Sequence, residues 1–149
     1  MIVNRRKQFE NVIRKSFECV EGVSIDRLND NTAGFKGVAG ICDFIVYKKP
    51  HEYYIECKSV HGNTLPFANV TETQWNGLLE KSKIVGVRAG IMCWWIDRDV
   101  TRFIPIEYLD WLRRLGKKSI RFDNEVGIRI YGKKKRVFWD YEMGVMFDD

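Results

Sequence analysis

A predicted β-hairpin between residues 41 and 58 sets the architecture of this chain. Residues 41–47 (ICDFIVY) and 52–58 (EYYIECK) are rich in β-branched and aromatic side chains, and residues 48–51 (KKPH) between them are typical of a turn. Both faces of each strand are largely apolar. Because an apolar face must be buried, we expect a second layer of structure on each side of this hairpin.

The rest of the chain supplies elements for those two layers. Helical spacing of apolar residues, together with capping and breaking residues, predicts three helices, and apolar or alternating runs predict further strands. The predicted helices cover residues 4–19, 71–84 and a segment from Pro105 to Gly116, and the strands cover 23–25, 90–96, 100–104, 126–130 and 136–141. The predicted fold class is therefore α/β, a mixed sheet with helices on it.

Length and composition bound the kind of protein that this can be. The chain of 149 residues is predicted to form a single domain over residues 1–149. It shows no signal peptide and no run of 18 apolar residues, so we expect no membrane association. The four cysteines form no CxxC pair and have apolar neighbours, which is typical of buried reduced thiols in a cytoplasmic protein.

The balance of ionisable residues points to carboxylate chemistry and an anionic partner. Lys and Arg number 25 against 20 Asp and Glu, which gives a net charge of +5. The chain has only two histidines, His51 and His61, and this nearly excludes sites that need a histidine cluster.

Three charged residues of the hairpin form the candidate site. Glu56 and Lys58 lie two residues apart on a strand and so share one face. A turn that pairs Tyr47 with Glu52 also sets Asp43 opposite Glu56, with Cβ atoms about 4.5–5.5 Å apart. Two such carboxylates repel, and Mg²⁺ between them would remove the repulsion, while the lysine could orient water or stabilise phosphate charge. The alternative is a surface salt bridge at a strand end.

This constellation resembles the PD-(D/E)xK nuclease superfamily, and its surroundings resemble the RecU-type Holliday junction resolvases. The archaeal resolvases are similar at the active-site positions. The motifs that carry the resemblance are residues 26–30 (DRLND), 34–37 (GFKG), 41–44 (ICDF), 55–58 (IECK), 65–67 (LPF), 71–74 (TETQ) and 117–120 (KKSI), with the segment 127–141.

The resemblance implies a restriction-endonuclease-like fold and a junction-resolving endodeoxyribonuclease. Such an enzyme is a homodimer that binds branched DNA, the four-way junction. With Mg²⁺, for which Mn²⁺ can substitute, it nicks two opposed strands symmetrically and uses no small-molecule cofactor. The expected location is the cytoplasm of a bacterial cell or of a phage-infected host. Two alternatives are another nuclease of the superfamily, of the repair or restriction type, and a non-catalytic DNA-binding module on the same fold.

The resemblance also implies roles for individual residues. Asp43 and Glu56 would be metal ligands, Lys58 would position the attacking water, and Glu10 would assist the metal or the water. Gln74 matches a glutamine in the helix that follows the core strands.

Two of these residues have a structural alternative. Glu10 could be a boundary residue paired with Arg14 four residues on, and Glu18 is a second acid on the same helix. Gln74 sits at the third position of a predicted capping box that begins at Thr71, a role compatible with the functional one.

Basic residues outside the hairpin are candidates for contacts with the DNA backbone. Such contacts bind phosphate without reading sequence, although charges of this kind are usually just solvated. The candidates are Arg5, Arg6, Lys7, Arg27, Lys36, Lys133, Lys134 and Lys135.

Overall fold

The computed structural model describes residues 5–28, 40–134 and 139–147. Three α-helices lie in these ranges: α1 (Arg5–Glu18), α2 (Glu72–Ser82) and α3 (Ile106–Arg114). The strands are β1 (Ser24–Arg27), β2 (Phe44–Lys48), β3 (His51–Val60), β4 (Thr64–Pro66), β5 (Val87–Trp95), β6 (Val100–Pro105), β7 (Ser119–Arg121), β8 (Ile128–Ile130), β9 (Gly132–Lys134) and β10 (Trp139–Tyr141). No helix in the described ranges is long and apolar enough to cross a bilayer.

The centre of the fold is a six-stranded mixed sheet with the order β1-β2-β3-β5-β6-β8. Strands β3 and β5 run parallel, with α2 in the crossover between them, and every other neighbouring pair of this sheet is antiparallel. Two small antiparallel pairs, β4 with β7 and β9 with β10, stand apart from the central sheet. The predicted mixed sheet is confirmed.

Helices cover both faces of the sheet, as the apolar hairpin predicts. On one face α1 buries Phe9, Ile13 and Phe17 in a cluster that includes Phe44 and Ile55 of the hairpin. On the other face α2 and α3 pack against the sheet in a second core cluster, which includes Tyr54, Trp75, Leu78, Ile91, Ile104 and Leu109. Alternate side chains of β3 therefore pack into two separate cores, one on each face of the sheet.

Three local expectations are wrong. The apolar spacing of the predicted third helix places Leu115 on its inward face, but Leu115 is 59% exposed, because α3 ends at Arg114 and Leu115 is its C-cap. Cys19 is exposed, because it follows the last residue of α1, whereas the other three cysteines are buried. The sequence between the predicted strands 126–130 and 136–141 predicts a turn at residues 132–135, but residues 132–134 form β9 and pair with β10.

The close approach of β5 to β6 gives a stability prediction. A Cβ on Gly90 would collide with the backbone carbonyl oxygen of Ile104 and lie 3.0 Å from the Phe103 ring. We expect Gly90→Ala to lower the free energy of unfolding by about 1–3 kcal/mol, since backbone atoms cannot rotate away. Gly144→Ala, with nothing within 4 Å of its Cβ, should change it by less than about 0.5 kcal/mol. Urea denaturation compares the two variants, and equal losses would contradict the packing argument.

Candidate active site

The hairpin register is the one that the sequence predicts. Tyr47 pairs with Glu52, and the ladder runs on to the residue after Asp43. The Asp43 N–H donates to the carbonyl oxygen of Ile55 at 3.0 Å, although Ile55 already pairs with Phe44, so Asp43 lies just outside the regular ladder. The two carboxyl groups are nevertheless close, because a side-chain hydrogen bond joins Asp43 to Glu56 at the end of β2.

Glu56 is the buried centre of this site. Its side chain is 1% exposed, and Oε2 lies 3.1 Å from Nζ of Lys58. The Gln74 Nε2 donates to the same oxygen at 3.1 Å. Oδ2 of Asp43 accepts a hydrogen bond of 2.8 Å from the backbone N–H of Cys57. The structure thus brings together four of the five predicted catalytic residues, from the hairpin and from α2.

The electrostatics of the pair follow from burial. Burial, and then the charge of Asp43, raise the pKa of Glu56 to about 8, although Lys58 acts in the opposite direction. A hydrogen bond with Asp43 raises the same pKa. Near neutral pH, Glu56 therefore holds a proton between the two carboxyl groups. A bound cation would relieve the repulsion between the two carboxylates just as the proton does, so a site that holds a proton in this way also suits a cation.

Glu10 lies close to the pair but is engaged by arginines. Its side chain is buried, with Oε2 2.8 Å from Nη2 of Arg27 and Oε1 3.4 Å from Nε of Arg6. Burial and then the charge of Asp43 raise the pKa of Glu10, whereas Arg27 and Arg6 lower it. The fifth predicted residue is therefore within the field of the acidic pair, with both of its oxygens in ion pairs.

The two glutamates of α1 have different environments. Arg14, the alternative partner of Glu10, instead donates to Glu18 at 2.9 Å, so that alternative is wrong. Glu18 is exposed and occupied by this ion pair, whereas Glu10 is the acid that faces Asp43.

Arg6 stands at the mouth of the site. Together with Cys57, Lys58, Ser59 and Asn69 it lines a cavity of about 250 Å³. Burial lowers the pKa of Arg6, but the three acidic side chains of the site outweigh it and raise the pKa. Its guanidinium thus lies in the field of the whole acidic group. Sequence reasoning missed Ser59 and Asn69, since nothing in their local pattern marks them.

The donor set can be compared with what a divalent metal requires. Asp43 and Glu56 offer adjacent carboxylate oxygens, the ligands that Mg²⁺ prefers, and their repulsion favours a cation between them. Within the described residues, no group of three or more His, Cys, Asp or Glu side chains is arranged to hold a metal. The pair fits such an ion, and Glu10 fits as a third ligand only after its arginines move.

The other predicted DNA contacts are scattered. Arg5 is exposed and donates to Gln8 at 3.2 Å, and Lys7 is exposed on the same helix. Arg27 is part of the site through Glu10. Lys36, Lys135 and the side chains of Lys133 and Lys134 lie outside the described part of the structure.

Comparison with known proteins identifies the fold. Neither a family model nor a curated protein sequence matches this chain. A solved structure does match: a Holliday junction resolvase from the archaeal hyperthermophile Archaeoglobus fulgidus, with a TM-score of 0.50. The chain has a restriction-endonuclease-like fold. Sequence identity to the archaeal protein is 19%, over 70% of this chain and 75% of that one, so the likeness concerns the fold.

Gln74 combines the two roles that the sequence suggests. Its backbone N–H donates to Thr71 Oγ1 at 3.1 Å, and its Oε1 accepts from the Thr71 N–H at 3.1 Å, which completes the capping box. Its Nε2 meanwhile orients Glu56. The capping prediction is confirmed, and the contact with Glu56 gives α2 a direct connection to the acidic pair.

A pair of variants separates these roles. Thr71→Ala should cost about 1 kcal/mol of stability through the lost cap, with little change in nuclease activity. Gln74→Ala should cost a similar amount and also reduce nuclease activity about tenfold, because a hydrogen bond to the carboxylate is lost. Urea denaturation and single-turnover cleavage measure the two effects. Equal activity losses in both variants would mean that Gln74 acts only as a cap.

Proposed function

We propose that this chain is a metal-dependent endodeoxyribonuclease that resolves four-way DNA junctions by paired, symmetric nicks. The observation that carries the proposal is the buried Asp43–Glu56 pair with Lys58 and Gln74 bonded to it. The archaeal neighbour is a Holliday junction resolvase, which supports the junction as substrate. The proposal treats residues 1–149 as one nuclease domain, active in the cytoplasm.

The residues divide the chemistry among them. Asp43 and Glu56, with Glu10 as a third ligand, would hold Mg²⁺ or Mn²⁺. Such an ion supplies a nucleophilic water at neutral pH and charge neutralisation at the phosphate. Lys58, whose Nζ lies 3.1 Å from Glu56, would hold the attacking water and a phosphate oxygen, and Gln74 keeps the Glu56 carboxylate in one orientation.

The arginines near Glu10 would bind the substrate backbone. Arg6 and Arg27 present planar guanidinium groups that can pair with phosphate oxygens as they now pair with Glu10. If they turn to the DNA, they release both oxygens of Glu10 at the moment when the phosphate arrives. Substrate binding and completion of the ligand set are thereby coupled.

Cleavage of a mobile four-way junction tests the proposal. With Mg²⁺, the wild-type protein should nick two opposed strands of the junction and leave a linear duplex of the same sequence largely intact, whereas Asp43→Asn should cleave neither substrate. Equal cleavage of the linear duplex would favour a repair or restriction nuclease. Junction binding without cleavage under any divalent metal would favour a non-catalytic module.

The paired nicks also require two sites related by a twofold axis, which the proposal assigns to a homodimer. Light scattering after size exclusion measures the oligomer with and without the junction. A protein that remains monomeric under both conditions would contradict symmetric resolution.

A further inference from the structure

Three basic residues lie in one cross-strand row that begins at the candidate site, with a buried cysteine between the first two. Lys58 pairs with Cys93, Cys93 with Arg102, and Arg102 with Arg129, across β3, β5, β6 and β8. Residues opposed in this way project to the same face of a sheet. With strands about 4.8 Å apart, Arg102 lies about 10 Å and Arg129 about 14 Å from Lys58 along the row.

The two arginines at the end of this row form an unusual pair. Like charges directly opposite on neighbouring strands are unfavourable, and buried charges normally have a counter-ion. Arg102 is only 8% exposed, and its Nε donates to the carbonyl oxygen of Phe122 at 3.2 Å. Nε of Arg129 is buried without a hydrogen-bond partner. Within the described ranges, neither guanidinium forms an ion pair with an acidic side chain, and that of Arg129 lies 4.7 Å from the centre of the Tyr131 ring.

Further positive charge surrounds Phe122. The guanidinium groups of Arg98 and Arg121 lie 4.9 Å and 5.6 Å from the centre of its ring. Asp123 contacts Arg121 at 3.0 Å and is thereby paired. Asp97 and Asp123 both act electrostatically on Arg98, so the charges around Phe122 are balanced, and the Arg102–Arg129 pair itself supplies the unpaired positive charge.

We propose that Arg102 and Arg129 form a phosphate-binding site. Two adjacent guanidinium forks match the oxygens of one phosphate group better than two ammonium groups would. Its occupant is a backbone phosphate of the DNA, distinct from the phosphate at Lys58. The DNA part of this inference rests on the proposed nuclease function, whereas phosphate binding itself does not.

Thermal unfolding with inorganic phosphate tests the site without DNA. At matched ionic strength, the midpoint of the wild type should rise when phosphate replaces chloride, and that of Arg129→Gln should not. Without phosphate, Arg129→Gln should unfold at or above the wild-type temperature, because the repulsion is relieved. Arg114→Gln, on an exposed residue of α3 paired with Asp110, should keep the wild-type response. A wild type with no phosphate-dependent rise, or an equal rise in Arg129→Gln, would overturn the site.

A charge-conserving variant keeps the test valid if Arg129→Gln fails to fold. Arg129→Lys keeps the charge but loses the planar fork, so its phosphate-dependent rise should fall between those of the wild type and Arg129→Gln. A rise equal to that of the wild type would overturn the bidentate arrangement.

Junction binding over a range of salt concentrations identifies the source of the phosphate. With Ca²⁺, fluorescence anisotropy should give Arg129→Gln a smaller slope of log affinity against log salt, by about 0.9 for one lost phosphate contact. An unchanged slope, together with a phosphate response in the wild type, would overturn the DNA assignment and leave free phosphate as the ligand. A wild type that does not bind the junction at all would overturn the proposed function instead.

Discussion

Replacement of Glu56 by glutamine is expected to abolish cleavage and, at the same time, to stabilise the metal-free protein. Loss of this ligand removes metal assistance worth several kcal/mol, which corresponds to at least about a thousandfold in rate. The stabilisation has a separate cause. Glutamine is neutral at every pH, can accept from Lys58 and Gln74, and can donate to Asp43 as the protonated acid does.

The sign of the stability effect follows from linkage. The folded-state pKa of Glu56 is about 8, above the ordinary value of 4.5, so the unfolded chain releases this proton at lower pH. The carboxyl group therefore costs no stability below its unfolded pKa and becomes increasingly destabilising as pH rises toward the folded pKa. At pH 8 we expect Glu56→Gln to raise the free energy of unfolding by on the order of 2–4 kcal/mol.

Urea denaturation in the presence of EDTA measures this effect. The difference between wild type and Glu56→Gln should be small at pH 5 and should grow toward pH 8. Glu80→Gln, at an exposed glutamate paired with Lys83, is the control and should change little. A Glu56→Gln protein that is less stable than the wild type at pH 8, or that still cleaves, would contradict the electrostatic account.

Lys58→Met should reduce the rate of cleavage by about 10²–10⁴-fold, the range for a group that assists proton transfer or stabilises developing charge. Its Nζ also lies 3.1 Å from Glu56 and lowers the pKa of that residue. Removing the cation should therefore raise the pKa of Glu56 further, so the residual activity should need a higher pH than that of the wild type.

The pH profile distinguishes this role from a structural one. Lys58→Arg should restore the wild-type pH dependence, because it restores the positive charge. It should restore only part of the rate, because a planar guanidinium differs in shape from an ammonium group. Lys83→Met, at an exposed lysine on a similar ion pair, should leave both unchanged. A Lys58→Met enzyme with reduced rate and an unshifted profile would mean that Lys58 does not tune Glu56.

The parts of the site that are local in sequence could be predicted. The register of β2 and β3 follows from a short turn and a period of two, and this brings Asp43, just before β2, close to Glu56. The capping box follows from the spacing of Thr71 and Gln74. In both cases the partners are close in the chain, so few alternative geometries compete.

The parts that depend on tertiary packing could not be predicted. Glu10 has possible partners on its own helix, and only the docking of α1 beside β1 brings Arg27 to it. The opposition of Arg102 and Arg129 requires β8 to pair with β6, after a helix and a further strand intervene. Periodicity reports which face of an element is apolar, but it does not report which strand lies beside which.

Binding of Mn²⁺, followed by electron paramagnetic resonance of the free ion, tests the role of the acidic pair. Because Mn²⁺ must displace the proton on Glu56, wild-type affinity should increase about tenfold per pH unit below pH 8 and then level off. Asp43→Asn and Glu56→Gln should both lose the site, whereas Glu80→Gln should keep it. Equal Mn²⁺ binding in wild type and in both pair variants would show that the pair is not the metal site.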